Sequence, residues 1–179
     1  VQVEQLDVTD TSSVAALAAQ LEGVAIDLLV NNAGVGGQGA GSFSAVDFDK
    51  VAHTFDVNSL GPRRVTQALL PNLEAGEGRT VVQVSSVMGS IEQNRGGYFG
   101  YRASKAALNM LNKSLAAELG SQGFLCVAMH PGWVKTRMGG AGAPVEPKDS
   151  VAGMIEVIDG LTPDDNGRFL DYQGKTIPW

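Results

Sequence analysis

Thr80-Val81-Val82-Gln83-Val84-Ser85-Ser86, then Lys105-Ala106-Ala107-Leu108-Asn109-Met110-Leu111 inside a longer run, then Phe124-Leu125-Cys126-Val127-Ala128-Met129 decide the fold. The first piece is β-branched and reads as a strand over 80–84. The second lies in an Ala- and Leu-rich helix over 102–119, free of Gly and Pro, and the third is an apolar strand over 124–129. Strand, helix and strand in that order form a crossover unit, which joins parallel strands. The pattern extends both ways. Residues 1–6 alternate apolar with polar as a strand, and Asp10 or Thr11 caps a helix with Val14, Leu17, Ala18 and Leu21 on one face. A strand over 26–30 meets a Gly-rich loop over 34–41. A long helical stretch follows with Val51, Phe55, Val65, Ala68, Leu69 and Leu73, interrupted at Gly61-Pro62. A loop over 131–147, a helix over 150–158 and a strand over 168–171 close the chain. The expected fold class is α/β, a doubly wound parallel sheet forming one domain over 1–179.

In such a sheet, ligands sit beyond the carboxyl ends of the strands, so chemistry is expected in the loops after Val30, Val84 and Met129. Composition narrows the chemistry. The 179 residues carry 13 Lys and Arg against 19 Asp and Glu, a net charge of −6, with no basic run to neutralise phosphates, which disfavours nucleic acid as a partner. One Cys and two His are too few soft ligands for a zinc site, so no metal is expected, and the lone Cys126 suits a reducing, cytoplasmic setting. No apolar stretch approaches the roughly 20 residues that span a bilayer.

Tyr101 and Lys105 stand four apart on one helical face, following the strand end at Ser85-Ser86. A hydroxyl, a phenol and an ammonium can therefore converge at one sheet edge. An ammonium beside a phenol favours phenolate and draws the phenol down from about 10, which suits a general acid for a carbonyl oxygen. Pro62 has no N–H, so it strands the carbonyl of Asn58, either as a harmless kink or as a seat for a water in a proton path. Other matches are weaker. Gly34-Val35-Gly36-Gly37-Gln38-Gly39 fits G-x-G-x-x-G but does not open a helix directly, Tyr98 has Arg102 rather than Lys four residues on, and His130 and His53 read as structural.

Taken together, Asp7-Val8, Asn31-Asn32-Ala33-Gly34, Asp56-Val57-Asn58, Val84-Ser85-Ser86, Tyr101-x-x-x-Lys105 and Pro131-Gly132 with Thr136 resemble the short-chain dehydrogenase/reductase family, in family order along the whole chain. The closing Gly167-Arg168-Phe169-Leu170-Asp171-Tyr172 and Ile177-Pro178-Trp179 resemble its C-factor and sniffer type carbonyl reductases. The resemblance implies a Rossmann-like fold and a catalytic set of Asn58, Ser86, Tyr101 and Lys105. Ser86 would orient the carbonyl, Tyr101 donate the proton, Lys105 lower the phenol and hold the nicotinamide ribose, and Asn58 anchor a relay water. Toward an NADP or NAD cofactor, Asp7 and Val8 would meet the adenine. Asn31, Ala33 and Gly34 would support the adenine-ribose side, and Pro131, Gly132, Val134 and Thr136 would flank the nicotinamide.

Family members also begin with a strand, a T-G-x-x-x-G-x-G turn, a helix and a second strand, to which none of these residues corresponds. The expectation is an N-terminally truncated sheet in which 1–6 moves beside 26–30 or a partner chain fills the slot. Nucleotide binding would then be weak or absent. If instead the chain belongs to a longer protein, the glycine turn is restored. The leading functional expectation is an oxidoreductase acting on a ketone, an aldehyde or the matching alcohol. The alternatives are a truncated esterase using Ser86 with Tyr101 and Lys105, and a non-enzymatic remnant that binds partners. Apolar residues on more than one helix face, among them Leu108, Met110, Leu111 and Leu115, further suggest a homo-oligomer.

Overall fold

In the computed structural model, which describes residues 1–37 and 43–179, the carboxyl ends of parallel strands line up along one edge. The expected Gly-rich loop and the G-x-G-x-x-G match run into residues 38–42, outside the described ones. Strands β1 (Leu28–Asn31), β2 (Thr80–Val84), β3 (Leu125–His130) and β4 (Phe169–Asp171) lie in the order 1-2-3-4. All their pairings are parallel, with Asn31 opposite Gln83, Val84 opposite Met129 and His130 opposite Asp171. The doubly wound α/β expectation holds.

Caps and prolines set where the helices begin and change course. Helix α1 (Thr11–Gln20) is capped by Asp10, whose carboxylate accepts from the Ser12 N–H at 2.8 Å. Helix α2 (Phe48–Phe55) is capped by Asp47 and passes into a π-helical segment, Asp56–Leu60, before α3 (Gly61–Ala68). This widened turn answers the missing donor of Pro62: the Gly61 N–H reaches back five residues to the Asp56 carbonyl. Helix α4 (Leu70–Ala75) leads to β2, and α5 (Phe99–Leu119) leads from β2 to β3. Helix α6 (Pro147–Asp159) starts earlier than expected because Pro147 fits the first helical turn, where no N–H is needed.

The core divides by sheet face. Leu73, Val81, Leu115, Ala116, Leu119, Phe124 and Cys126 bury one another where α4 and α5 cover β2 and β3. On the opposite face Val82, Val127 and Met129 receive Met154, Val157, Ile158 and Leu161 from α6 and the turn after it. Both crossovers, β2–α5–β3 and β3–α6–β4, step the same way across the sheet yet lie on opposite faces. They therefore have opposite hands, and one departs from the usual right-handed rule.

Residues 1–6 correct the sequence reading. They form no strand and no ladder joins them to β1. An isolated extended segment has nowhere to place its backbone hydrogen bonds except in water, and Val1 and Val3 are exposed. Only Leu6, and Val8 after it, pack inward, against Val14, Val65 and Leu69. No described helix is long and apolar enough to cross a membrane.

Phe124 is 1% exposed and belongs to the core cluster beneath α4 and α5. Phe124→Ala should lower the unfolding free energy by about 3 to 5 kcal/mol, since the emptied volume collapses only in part. Urea denaturation of both proteins checks this; a loss below about 1 kcal/mol would mean that the site refills.

Candidate active site

Four of the expected residues come together at the carboxyl edge. Ser86 follows β2 and caps a short 3₁₀ turn, Val87–Gly89, its hydroxyl accepting from the Met88 N–H at 3.2 Å. Tyr101 and Lys105 lie on consecutive turns of α5. The Tyr101 phenol lies close enough to the Ser86 side chain for Ser86 to act on its proton affinity. The Lys105 ammonium lies 5.9 Å from the centroid of the Tyr101 ring and donates to the Val84 carbonyl at 2.8 Å.

Asn58, fully buried, holds the site from the other side. Its Oδ1 accepts from the Val35 N–H at 2.8 Å, and its Nδ2 donates to the Val35 carbonyl at 2.9 Å and to Ser104 Oγ at 3.0 Å. Ser104 Oγ in turn donates to the Tyr101 carbonyl at 2.8 Å. The loop after β1 is thus tied through Asn58 and Ser104 to the helix turn that carries Tyr101. Gly34 lies beside this group: a Cβ there would make ordinary contacts, 3.4 Å from Asn58 Oδ1 and 3.7 Å from Lys105 Nζ.

Burial governs the proton affinities. It raises the Tyr101 phenol above its usual 10, and the neighbouring Ser86 side chain draws it partway back. Burial also draws the Lys105 ammonium down to about 8, and its hydrogen bond goes to the Val84 carbonyl. His130 is drawn down to about 4 by burial and is neutral near pH 7.

The residues expected at a cofactor are more scattered. Asp7 is exposed, its carboxylate accepting from the Thr9 N–H at 2.9 Å and the Thr9 hydroxyl at 2.7 Å, bonds that hold it below the usual carboxylate range. The Val8 carbonyl accepts from Arg64. Asn31 donates to Thr66 Oγ1 at 3.0 Å and pins the end of β1 to α3, while Ala33 and Gly34 are exposed beyond it. The Pro131 carbonyl accepts from Ser150, Gly132 packs beside the Tyr172 ring, Val134 bridges to Val145, and exposed Thr136 accepts from the Gly139 N–H. Sequence reasoning missed Ser104, Ser85 and Asn109, all buried and all bonded to the segments that carry the set above. Their one signal is position: polar residues on the helix face that also carries Lys105, or at the strand end.

Comparison with known proteins identifies the family. Residues 1–144 match the short chain dehydrogenase family profile. The chain is 51% identical over 155 residues to the C-signal of Myxococcus xanthus, an alignment covering 86% of this chain and 93% of that protein. Among solved structures, the carbonyl reductase Sniffer of D. melanogaster superposes with a TM-score of 0.95 at 34% identity, covering 99% of this chain and 78% of that one. The NADPH-bound carbonyl reductase from chicken fatty liver gives a TM-score of 0.90 at 35% identity, covering 97% of this chain and 75% of that one.

The depressed Lys105 has a measurable consequence. Between about 8, its folded value, and 10.5, its ordinary one, the unfolded chain holds a proton that the folded chain has released. Stability therefore rises with pH across that window, and the gain is lost as the pH falls back through 8. Lys105→Met lacks this titration, so wild-type stability relative to the variant should climb across the window by up to about 3 kcal/mol. Urea titrations of both proteins at stepped pH test it; a constant difference would mean a solvated ammonium.

Proposed function

The chain belongs to the short-chain dehydrogenase family and is an oxidoreductase of that kind, and on this premise we propose that it reduces the carbonyl of an aldehyde or ketone, or oxidises the matching alcohol, with NADP or NAD. The observation that carries the reading is the meeting of the Ser86 and Tyr101 side chains at the strand end, with the Lys105 ammonium 5.9 Å from the Tyr101 ring centroid. Two hydroxyls on one point can together grip a carbonyl oxygen. Ser86 orients that oxygen and Tyr101 gives it a proton as negative charge develops there. A relay water on the Asn58 carbonyl would return the proton to Tyr101.

The residues fit the ribose and nicotinamide end of the cofactor, which when bound supplies or accepts the hydride. Lys105 has three N–H donors and one acceptor among the described residues, Val84, so donors remain for ribose hydroxyls. Lys105 and Tyr101 would hold the ribose. Asn31, Ala33 and Gly34 would support the adenine-ribose side, Asp7 and Val8 the adenine, and Pro131, Gly132, Val134 and Thr136 the nicotinamide. The NADPH on the chicken relative supports this choice of cofactor. The esterase reading lacks such support, since the Lys105 ammonium bonds to Val84 and not to the Ser86 hydroxyl.

The same reading treats residues 1–179 as a single domain acting in the cytoplasm on a small molecule and pairing with a second copy through its long helices. Exposed Met110 on α5 supports the pairing, and sedimentation at micromolar concentration tests it.

Tyr101→Phe keeps the ring and removes the proton donor. Nucleotide-dependent turnover of a panel of aldehydes and ketones should fall by at least about 100-fold with circular dichroism unchanged. Activity within a few fold of wild type would overturn the assignment.

A further inference from the structure

We propose that Asn109 is a positioning residue for Ser86: its side-chain amide clamps the two residues that bracket the Ser86 turn and so fixes where the Ser86 hydroxyl points. The proposal deepens, and rests on, the reading of Ser86 as the group that orients the carbonyl. Asn109 is 2% exposed and lies one helical turn beyond Lys105, on the same face of α5. Its Oδ1 accepts from the Ser85 hydroxyl at 2.6 Å, and its Nδ2 donates to the Gly89 carbonyl at 3.3 Å.

Those two contacts enclose the turn. Ser85 immediately precedes Ser86, and the Gly89 N–H donates to the Ser86 carbonyl at 2.7 Å. The turn is pressed onto the helix, since a Cβ on Gly89 would meet the Lys105 backbone at 2.8 Å. With so little room, the direction of the Ser86 hydroxyl depends on how the ends of its turn are held. Only an amide meets both needs. The Gly89 carbonyl can only accept, so the amide must turn its NH₂ toward it, and this leaves Oδ1 for the Ser85 hydroxyl. A carboxylate at 109 would face the Gly89 carbonyl with no hydrogen to give, and an apolar side chain would orphan both partners in a buried site. Positions 101, 105 and 109 thus address Ser86, the Val84 carbonyl, and Ser85 with Gly89 in turn.

The test uses Asn109→Asp, and Ser85→Ala as a smaller change should Asn109→Asp fail to fold. The Ser86 side chain lowers the Tyr101 phenol, so a displaced Ser86 should let that phenol titrate at higher pH. Ultraviolet difference titration, with Tyr101→Phe subtracted to remove the other tyrosines, reads this without nucleotide or turnover. The expected result is an upward shift in either variant that adds nothing further when Ser86→Ala is also present, together with a fall of about 10- to 100-fold in kcat and little change in nucleotide KM. If Ser86→Ala moves the phenol and cripples turnover while Asn109→Asp and Ser85→Ala move neither, the positioning role is overturned and the function stands. The positioning role is likewise overturned if the losses from Asn109→Asp and Ser86→Ala multiply, because Asn109 would then act independently of Ser86. If Ser86→Ala itself changes nothing, the function reading falls and this proposal with it.

Discussion

The hydrogen bond from the Lys105 ammonium to the Val84 carbonyl is the constraint on which the site depends. Successive residues of a strand aim their backbone groups at alternate neighbours. The Ser85 N–H goes to β3, reaching the Met129 carbonyl at 2.7 Å, so the Val84 carbonyl faces β1. The ladder on that side ends with Asn31 opposite Gln83, and the chain then turns away through Ala33 and Gly34. One strand stopping a residue short leaves a buried acceptor, and a lysine from α5 fills it. A side chain 4% exposed with a single such partner among the described residues loses part of its hold on its proton, which is why burial draws Lys105 down to about 8.

Helix α5 carries two different interiors along one face. Toward the site it buries Ser104, Lys105, Asn109 and Asn112, and toward its end Leu115, Ala116 and Leu119. The apolar half locks the helix to β2 and β3 through Val81, Phe124 and Cys126. Because the helix is rigid, this anchoring fixes the polar half as well, and Asn112 adds a bond from its Nδ2 to the Cys126 carbonyl at 3.3 Å. The Ser86 and Tyr101 side chains are therefore positioned by packing well below them.

On the far side, the loop after β1 is held by a different device. Asn58 sits in the π-helical segment that Pro62 imposes, and its amide grips Val35 on both backbone groups while also reaching Ser104. A regular α-helix would present Asn58 at another angle, so the local irregularity is part of how the loop meets α5.

The sequence by itself determined the parallel α/β class, because β-branched runs alternating with long Ala- and Leu-rich helical runs leave no other sheet. It also determined that Ser86, Tyr101 and Lys105 share one edge, since helical spacing and the strand end at Val84 are local facts. Tertiary structure decided the rest. Residues 1–6 have strand alternation yet form no strand, because pairing needs a neighbour that no local pattern supplies. The face chosen by α6 follows from which apolar side chains of β2 and β3 remained uncovered, Val82, Val127 and Met129. The roles of Ser104 and Asn109 were illegible for the same reason: a buried amide or hydroxyl is defined by its partners, and those lie far away in the chain, at Asn58 for one and at Ser85 and Gly89 for the other. Even the proton affinities of Tyr101 and Lys105 were set by depth of burial, which spacing along a helix does not encode.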